Sequence, residues 1–289
     1  MIVVVGSVNL DILATVSARP EPGETVMALD HTTAHGGKGA NQAVAAARLG
    51  ADVRLIARVG SDAAGTELVE GLAQEGVGVQ SVTPVVGPSG MALVIVDATG
   101  ENSIVVGAGA NGHLELLAQD QALIAEADVV LCQLEIPIET VREVASHTTG
   151  VFILNAAPSV AVPRSVLDRT DILVVNEHEL MAMGAGADPA SIRALGIPRV
   201  VTTLGARGAT VVTRSDIGYL PALAVPVVDT TGAGDTVCGA LAASIDAGDD
   251  VFAAAARAVV AGSLATTRVG ARTAMPTMEQ LERAITREI

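Results

Sequence analysis

The sequence predicts an α/β fold in which helices cover both faces of a mainly parallel sheet, with a small β-sheet lid standing off that body. Three observations lead there. Short β-branched runs alternate with Ala-rich helical patterns, which is the grammar of βαβ units. Two stretches break the alternation with successive strand-like segments, which parallel crossovers do not allow. Half of the 289 residues are apolar, yet there are only two Phe, one Tyr and no Trp, so any core must be aliphatic.

Taken in order, the pattern predicts a strand at Ile2–Val5, a helix over 39–49, a strand over 53–59 and a helix over 65–74. Residues 11–35 and 88–106 carry the strand-like segments, with Pro22-Gly23 and Thr99-Gly100 as turn signals. If these stretches pair with each other they form a small antiparallel sheet. The lid is then 11–35 plus 88–106, and the body 1–10, 36–87 and 107–289. Beyond it the pattern predicts a helix over 114–125, a strand at Val129–Cys132, a helix over 138–146 and strands over 151–154 and 172–175. A strand-like 224–228 precedes a helix over 236–247, and helical character runs from 233 through 265 and again from 277.

Residues 229–235, Asp-Thr-Thr-Gly-Ala-Gly-Asp, lead into that helix. Gly232 and Gly234 let backbone amides converge on an anion at a helix N-terminus. A carboxylate at such a mouth repels phosphate, so Asp235 needs another purpose, and abstracting a proton from an attacking hydroxyl is one. Taken alone, the segment reads equally well as a capped turn. Near the N-terminus Gly36-Gly37-Lys38-Gly39-Ala40-Asn41-Gln42 opens another helix, and Lys38 is the sole lysine of the chain. The residue after it is glycine rather than Ser or Thr, so this is not a P-loop.

Gly107-Ala-Gly-Ala-Asn-Gly112 fits G-x-G-x-x-G, but a dinucleotide site would use the first strand, where Gly6-Ser-Val-Asn-Leu-Asp11 lacks the glycines. Five histidines show no zinc-ligand spacing, and there is no G-x-S-x-G elbow. A formal charge of −15 opposes nucleic acid or anionic membranes as partners. Cys132 and Cys238 form no disulfide framework, no apolar run approaches a membrane span, and the Met1 end carries no basic leader. A cytoplasmic, soluble protein is expected.

Together these residues resemble the PfkB carbohydrate kinases, and among them the ribokinase branch. GGKGANQA at 36–43 and DTTGAGDTVCGA at 229–240 match the family's two signatures in order and separation. GSVNLD from Gly6, PGET from Pro22, AGAN from Ala108, QLE from Gln133 and TLGARG from Thr203 extend the likeness from Gly6 to about Pro276. The resemblance implies a ribokinase-like three-layer sandwich whose lid clasps that of a second subunit in a homodimer. It implies phosphorylation of a small sugar, with ATP, Mg²⁺ and a monovalent cation, usually K⁺, as cofactors.

By the same resemblance, Asn9, Asp11, Gly37, Lys38, Gly39, Ala40, Asn41 and Glu135 would line the sugar site. Asp235 would be the general base, and Gly232, Ala233 and Gly234 the anion hole. Asn176, Glu179, Thr203, Leu204, Gly205, Ala206, Arg207 and Gly208 would meet the nucleotide. Asp229, Thr231, Ala265, Arg268, Gly270 and Ala274 match the cation site. Ala274 stands where ribokinase-type enzymes carry a serine, and Val259 where they carry a polar residue touching the nucleotide. Neither lid stretch holds a Phe, Tyr or Trp to stack on a base, which favours ribose. Deoxyribose, a nucleoside or a fructose-type sugar are the alternatives, and a non-catalytic sugar-binding protein stands behind them.

Overall fold

The computed structural model describes residues 1–99 and 101–288. In chain order, β1 (Ile2–Val5), β2 (Asn9–Thr15) and β3 (Asp30–Gly36) precede α1 (Lys38–Arg48), β4 (Val53–Gly60), α2 (Ala63–Gln74) and β5 (Gly78–Val85). Next come β6 (Gly90–Val96), β7 (Asn102–Gly107), a 3₁₀ turn (Gly109–His113), α3 (Ala118–Glu126), β8 (Val129–Cys132), α4 (Ile138–His147) and β9 (Val151–Asn155). The chain continues with α5 (Arg164–Arg169), β10 (Ile172–Asn176), α6 (Glu177–Ala182), α7 (Pro189–Ala194), β11 (Arg199–Thr203), β12 (Ala209–Thr213) and β13 (Ile217–Leu220). It ends in α8 (Ala233–Asp246), α9 (Val251–Ala265) and α10 (Met278–Glu288).

The large sheet runs β13-β12-β11-β10-β9-β8-β1-β4-β5 and is parallel from β5 to β11, with β12 and β13 antiparallel at one edge. In β1 every side chain is fully buried: Ile2 and Val4 enter the apolar cluster on one face, Val3 and Val5 the cluster on the other. Side chains alternate across a strand, so a run apolar at every position belongs to a strand covered on both sides. From β1 the chain moves out to β4 and β5, and β8 then opens the opposite wing beside β1. The carboxyl ends of β1 and β8 therefore flank a topological switch point, where α/β sheets open a crevice.

The small sheet is ordered β3-β2-β6-β7. Its two hairpins are antiparallel, but β2 and β6 pair in parallel, which corrects the expectation of an antiparallel sheet. The two hairpins enter the sheet from separate excursions of the chain, and neither turn fixes their relative direction. Asn9, Leu10, Gly36 and Gly107 belong to its strands. Gly100, read as a turn residue, lies outside the described residues.

Other boundaries also differ. Residues 224–228 form no strand and are largely exposed, so their β-branched side chains have no sheet to pack into. The helix expected from 114 begins at Ala118, after a 3₁₀ turn. The C-terminal helical run is two helices, because Asp250 caps α9 by accepting from the amides of Phe252 and Ala253 (2.8 and 3.0 Å). Among the described residues no helix is long and apolar enough to cross a membrane.

Candidate active site

Two helices bring their N-termini to the crevice. α1 enters behind Gly37, and α8 behind Gly232, whose φ of +73° only glycine adopts readily. The helices pack closely because Gly239 of α8 lacks a side chain; a Cβ there would stand 2.5 Å from the carbonyl oxygen of Gln42. This contact sets Asp235 beside Asn41 and Gln42.

Asp235 is 9 % exposed, and each of its carboxylate oxygens accepts one hydrogen bond. Asn41 Nδ2 donates to Oδ2 and Gln42 Nε2 to Oδ1, both at 3.0 Å. Gln42 is fixed in turn: its Nε2 also reaches Asn155 Oδ1 at 3.0 Å, and its Oε1 accepts from Gln133 Nε2 at 2.6 Å. A carboxylate held this way keeps lone pairs for one more donor. At the start of α8 the amide of Ala233 bonds to Thr230 O at 3.2 Å. Those of Gly232, Gly234 and Asp235 have no partner among the described residues, so they, rather than Ala233, are free to meet an anion.

A cleft of about 140 Å³ opens in front of these amides, lined by Lys38, Asn155, Asn176, Glu179, Thr203, Gly232, Gly234 and Asp235 among others. Burial works against the charge on Lys38, but Asp235 and Glu135 outweigh it and hold its pKa above the ordinary value. Asn176 and Glu179 form a reciprocal cap on α6, with Glu179 N donating to Asn176 Oδ1 and Asn176 N to Glu179 Oε2, both at 2.8 Å. Burial raises the pKa of Glu179 despite that bond. Beyond Thr203, residues 204–208 make a tight turn whose Leu204 amide bonds to Gly208 O at 2.7 Å. Its Arg207 is exposed and paired with Glu177 at 2.6 Å. Val259 is buried in the aliphatic core at 5 % exposure.

On the lid side, Glu135 Oε2 accepts from Ser7 Oγ (2.5 Å) and Lys38 N (3.1 Å). Asn9 Oδ1 accepts from Asn111 Nδ2 at 2.7 Å, and Asn111 also binds both backbone groups of Val8. Asp11 Oδ1 is buried without a partner, and burial, reinforced by Glu135 and Asp235 against Arg272, pushes the Asp11 pKa up to about 6. Gly39 and Ala40 spend their amides on Ser7, at 3.4 and 2.9 Å, and so form the floor of this pocket rather than offering donors to it. The glycines of 107–112 serve the return from β7 to the body: Gly109 has φ +48°, and a Cβ on it would collide with Ser89.

The sequence pattern of pfkB family carbohydrate kinases matches residues 1–278. The chain belongs to that family. The ribokinase of Bacillus subtilis (strain 168) is 39 % identical over 286 residues, covering 97 % of this chain and 98 % of that protein. A deoxyribokinase of Salmonella typhi is 33 % identical over 296 residues, covering 96 % of each chain. Among solved structures, Arabidopsis thaliana ribokinase complexed with ribose and ATP superposes with a TM-score of 0.94 at 32 % identity, covering 98 % of both chains. This PfkB chain is thus an ATP-dependent carbohydrate kinase, and its sheet-plus-small-sheet architecture is that of ribokinases.

Two cations implied by the family can be tested against the residues of this PfkB kinase. Among the described residues no group of three His, Cys, Asp or Glu side chains could hold a metal; Glu179, which lines the cleft, is the carboxylate that would meet Mg²⁺ arriving with ATP. A monovalent ion has a better nest. Burial would raise the Asp229 pKa, but Gly270 N (2.7 Å) and Thr231 N and Oγ1 (2.9 and 2.7 Å) outweigh it and keep the carboxylate charged. The carbonyls of Ala265, Arg268 and Gly270 accept no hydrogen bond among the described residues. Ala274 is buried and offers no hydroxyl.

Gln42, Asn111, Gln133, Asn155 and Arg272 belong to this constellation without having been singled out by sequence. Gln42, Asn111 and Gln133 lie inside motifs that were, but as amides they fit a helix, turn or strand end equally well.

Proposed function

We propose that the chain transfers the terminal phosphoryl group of ATP to the primary hydroxyl of D-ribose, giving D-ribose 5-phosphate and ADP. The observation that carries this reading is Asp235, fixed through both oxygens in a cleft it shares with the uncommitted amides of Gly232, Gly234 and its own N–H. Asp235 takes the proton of the hydroxyl as its oxygen attacks the γ-phosphorus, and the bond to the β-phosphate oxygen breaks in line. The amides of Gly232, Gly234 and Asp235, with Lys38, balance the charge on the moving phosphoryl group. Asn9, Asp11 and Glu135 receive the other hydroxyls, Asn176, Glu179 and Thr203 lie on the nucleotide side, and K⁺ sits against Asp229. Ribose is favoured over a nucleoside because residues 11–35 and 88–106, taken as a lid, contain no Phe, Tyr or Trp to stack on a base. The free, buried Cys132 and Cys238 accord with a reducing cytosol.

A screen of ADP release from Mg-ATP tests this, using ribose, deoxyribose, fructose, adenosine and pseudouridine, each with potassium or tetramethylammonium chloride. Ribose with potassium is expected to be fastest. Faster turnover of deoxyribose would shift the substrate toward the 33 % identical deoxyribokinase, and release stimulated by no sugar would refute the reading.

Asp11 gives a pH dependence of defined sign. With its pKa raised to about 6, it loses its charge as pH falls through that value. KM for ribose should therefore climb from pH 7 to pH 5 by roughly tenfold, with kcat less affected. A flat KM over that interval would remove Asp11 from sugar recognition.

The small sheet and the connection from β2 to β3 leave Met27, Leu29, Ile104, Val105 and Val106 more than half exposed. We take this apolar surface, to which β7 contributes from both of its faces, as the clasp between two subunits. Sedimentation is expected to give twice the 29.0 kDa chain mass, and Val105→Glu to return it toward the single value.

A further inference from the structure

Arg272 is 7 % exposed, with its guanidinium directed into the protein. Nε donates to Asn41 Oδ1 at 3.2 Å and Nη2 to Gly36 O at 3.0 Å, while Nη1 has no partner. Burial lowers its pKa to about 10, so it stays charged at neutral pH, yet no carboxylate forms an ion pair with it among the described residues. Burying a cation on such partners is costly. Holding its own loop does not require it, because Arg48 Nη1 already clamps the carbonyls of Arg272 (2.6 Å) and Met275 (2.9 Å). Arg48 is itself held by Glu75 through both carboxylate oxygens, at 2.8 and 2.6 Å.

The asymmetry of the partners gives the guanidinium its use. A guanidinium only donates and a carboxylate only accepts, whereas an asparagine amide does either. Asn41 stands between Arg272 and Asp235, so its oxygen must face the arginine and its nitrogen the aspartate. The second N–H of Arg272 ties the same unit to Gly36, the last residue of β3, where the small sheet rejoins the body.

We infer that Arg272 is a positioning residue for phosphoryl transfer, which locks the Asn41 amide so that Asp235 presents its free lone pair to the sugar hydroxyl. It acts through Asn41 and does not touch the reacting atoms. This rests on the proposed role of Asp235 as base.

A double-mutant cycle with Arg272→Met and Asn41→Ala tests it, following kcat, KM and, by calorimetry, sugar affinity. The cycle is run on whichever sugar releases ADP fastest, so a different substrate leaves it intact. Arg272→Met should lower kcat about thirtyfold while sugar affinity changes less than about threefold. In the Asn41→Ala background the same change should cost no more than about twofold, because the group it acts through is gone. Arg272→Lys retains the charge but not the fixed fork. Its kcat should fall between wild type and Arg272→Met, and it replaces that variant in the cycle should Arg272→Met fail to fold. Multiplicative losses in the double variant, or a kcat unchanged by losing Arg272, would overturn the inference.

Discussion

Asp235→Asn is expected to bind ribose with nearly unchanged affinity and to lose turnover by roughly 10²- to 10⁴-fold. The substitution keeps volume and burial but replaces an acceptor-only group by one that also donates. Asn41 and Gln42 both present N–H groups to this side chain at 3.0 Å. One of them must now face an amide nitrogen, which cannot accept, so the local network will rearrange or leave a donor unpaired. The sugar contacts proposed for Asn9, Asp11 and Glu135 lie outside that rearrangement, so ground-state binding should survive. What disappears is the group that takes the proton, a loss felt in kcat rather than KM. Single-turnover rates with calorimetric ribose affinity separate the two. Turnover within tenfold of wild type would show that the hydroxyl loses its proton to another group, and the assignment of Asp235 would fail.

β1, β8, β9 and β10 are runs of Val, Ile, Leu and Phe buried on both faces, and their expected limits agree with the structure to within one residue. Runs this short and this apolar suit strands covered on both faces. Most of the elements that escaped lack that signal; β11 escaped although Val200, Val201 and Thr202 are buried, because the run is only three residues long, and so did β5, which is buried mainly at Ser81 and Val82. α5, α6 and α7 are six residues each, shorter than two turns, so no period develops. In the β12–β13 edge hairpin, β13 is half exposed and mixes polar with apolar residues.

The site divides in the same way. Its glycine-rich helix entries are contiguous in sequence, so the α1 and α8 N-termini were legible. Its polar scaffold is not contiguous: Asn41 meets Asp235 across 194 positions, Arg272 across 231, and Gln42 meets Asn155 across 113. An amide or arginine in a helix has no sequence mark distinguishing a satisfied network from a solvated face. Resemblance to the family supplied Asn41 but not Arg272, because Arg272 acts on another side chain rather than on a ligand.

Gly234→Ala is expected to fold as well as the wild type and to lose turnover by about a hundredfold or more. A Cβ at this position meets nothing within 4 Å in the free protein, and alanine in the first turn of α8 is the better helix former. The thermal midpoint should therefore hold or rise. The same open space is the cleft where the amides of Gly232, Gly234 and Asp235 face outward, and a methyl group there takes the place of the approaching phosphoryl oxygens. Gly232→Ala makes the control. Its φ of +73° strains any L side chain, and its Cβ would stand 2.8 Å from that of Ala271, so stability and turnover fall together. Melting curves with kcat for the two variants distinguish a glycine the fold needs from one the phosphate needs. If Gly234→Ala turned over like the wild type, the anion would have to be held elsewhere than at the N-terminus of α8.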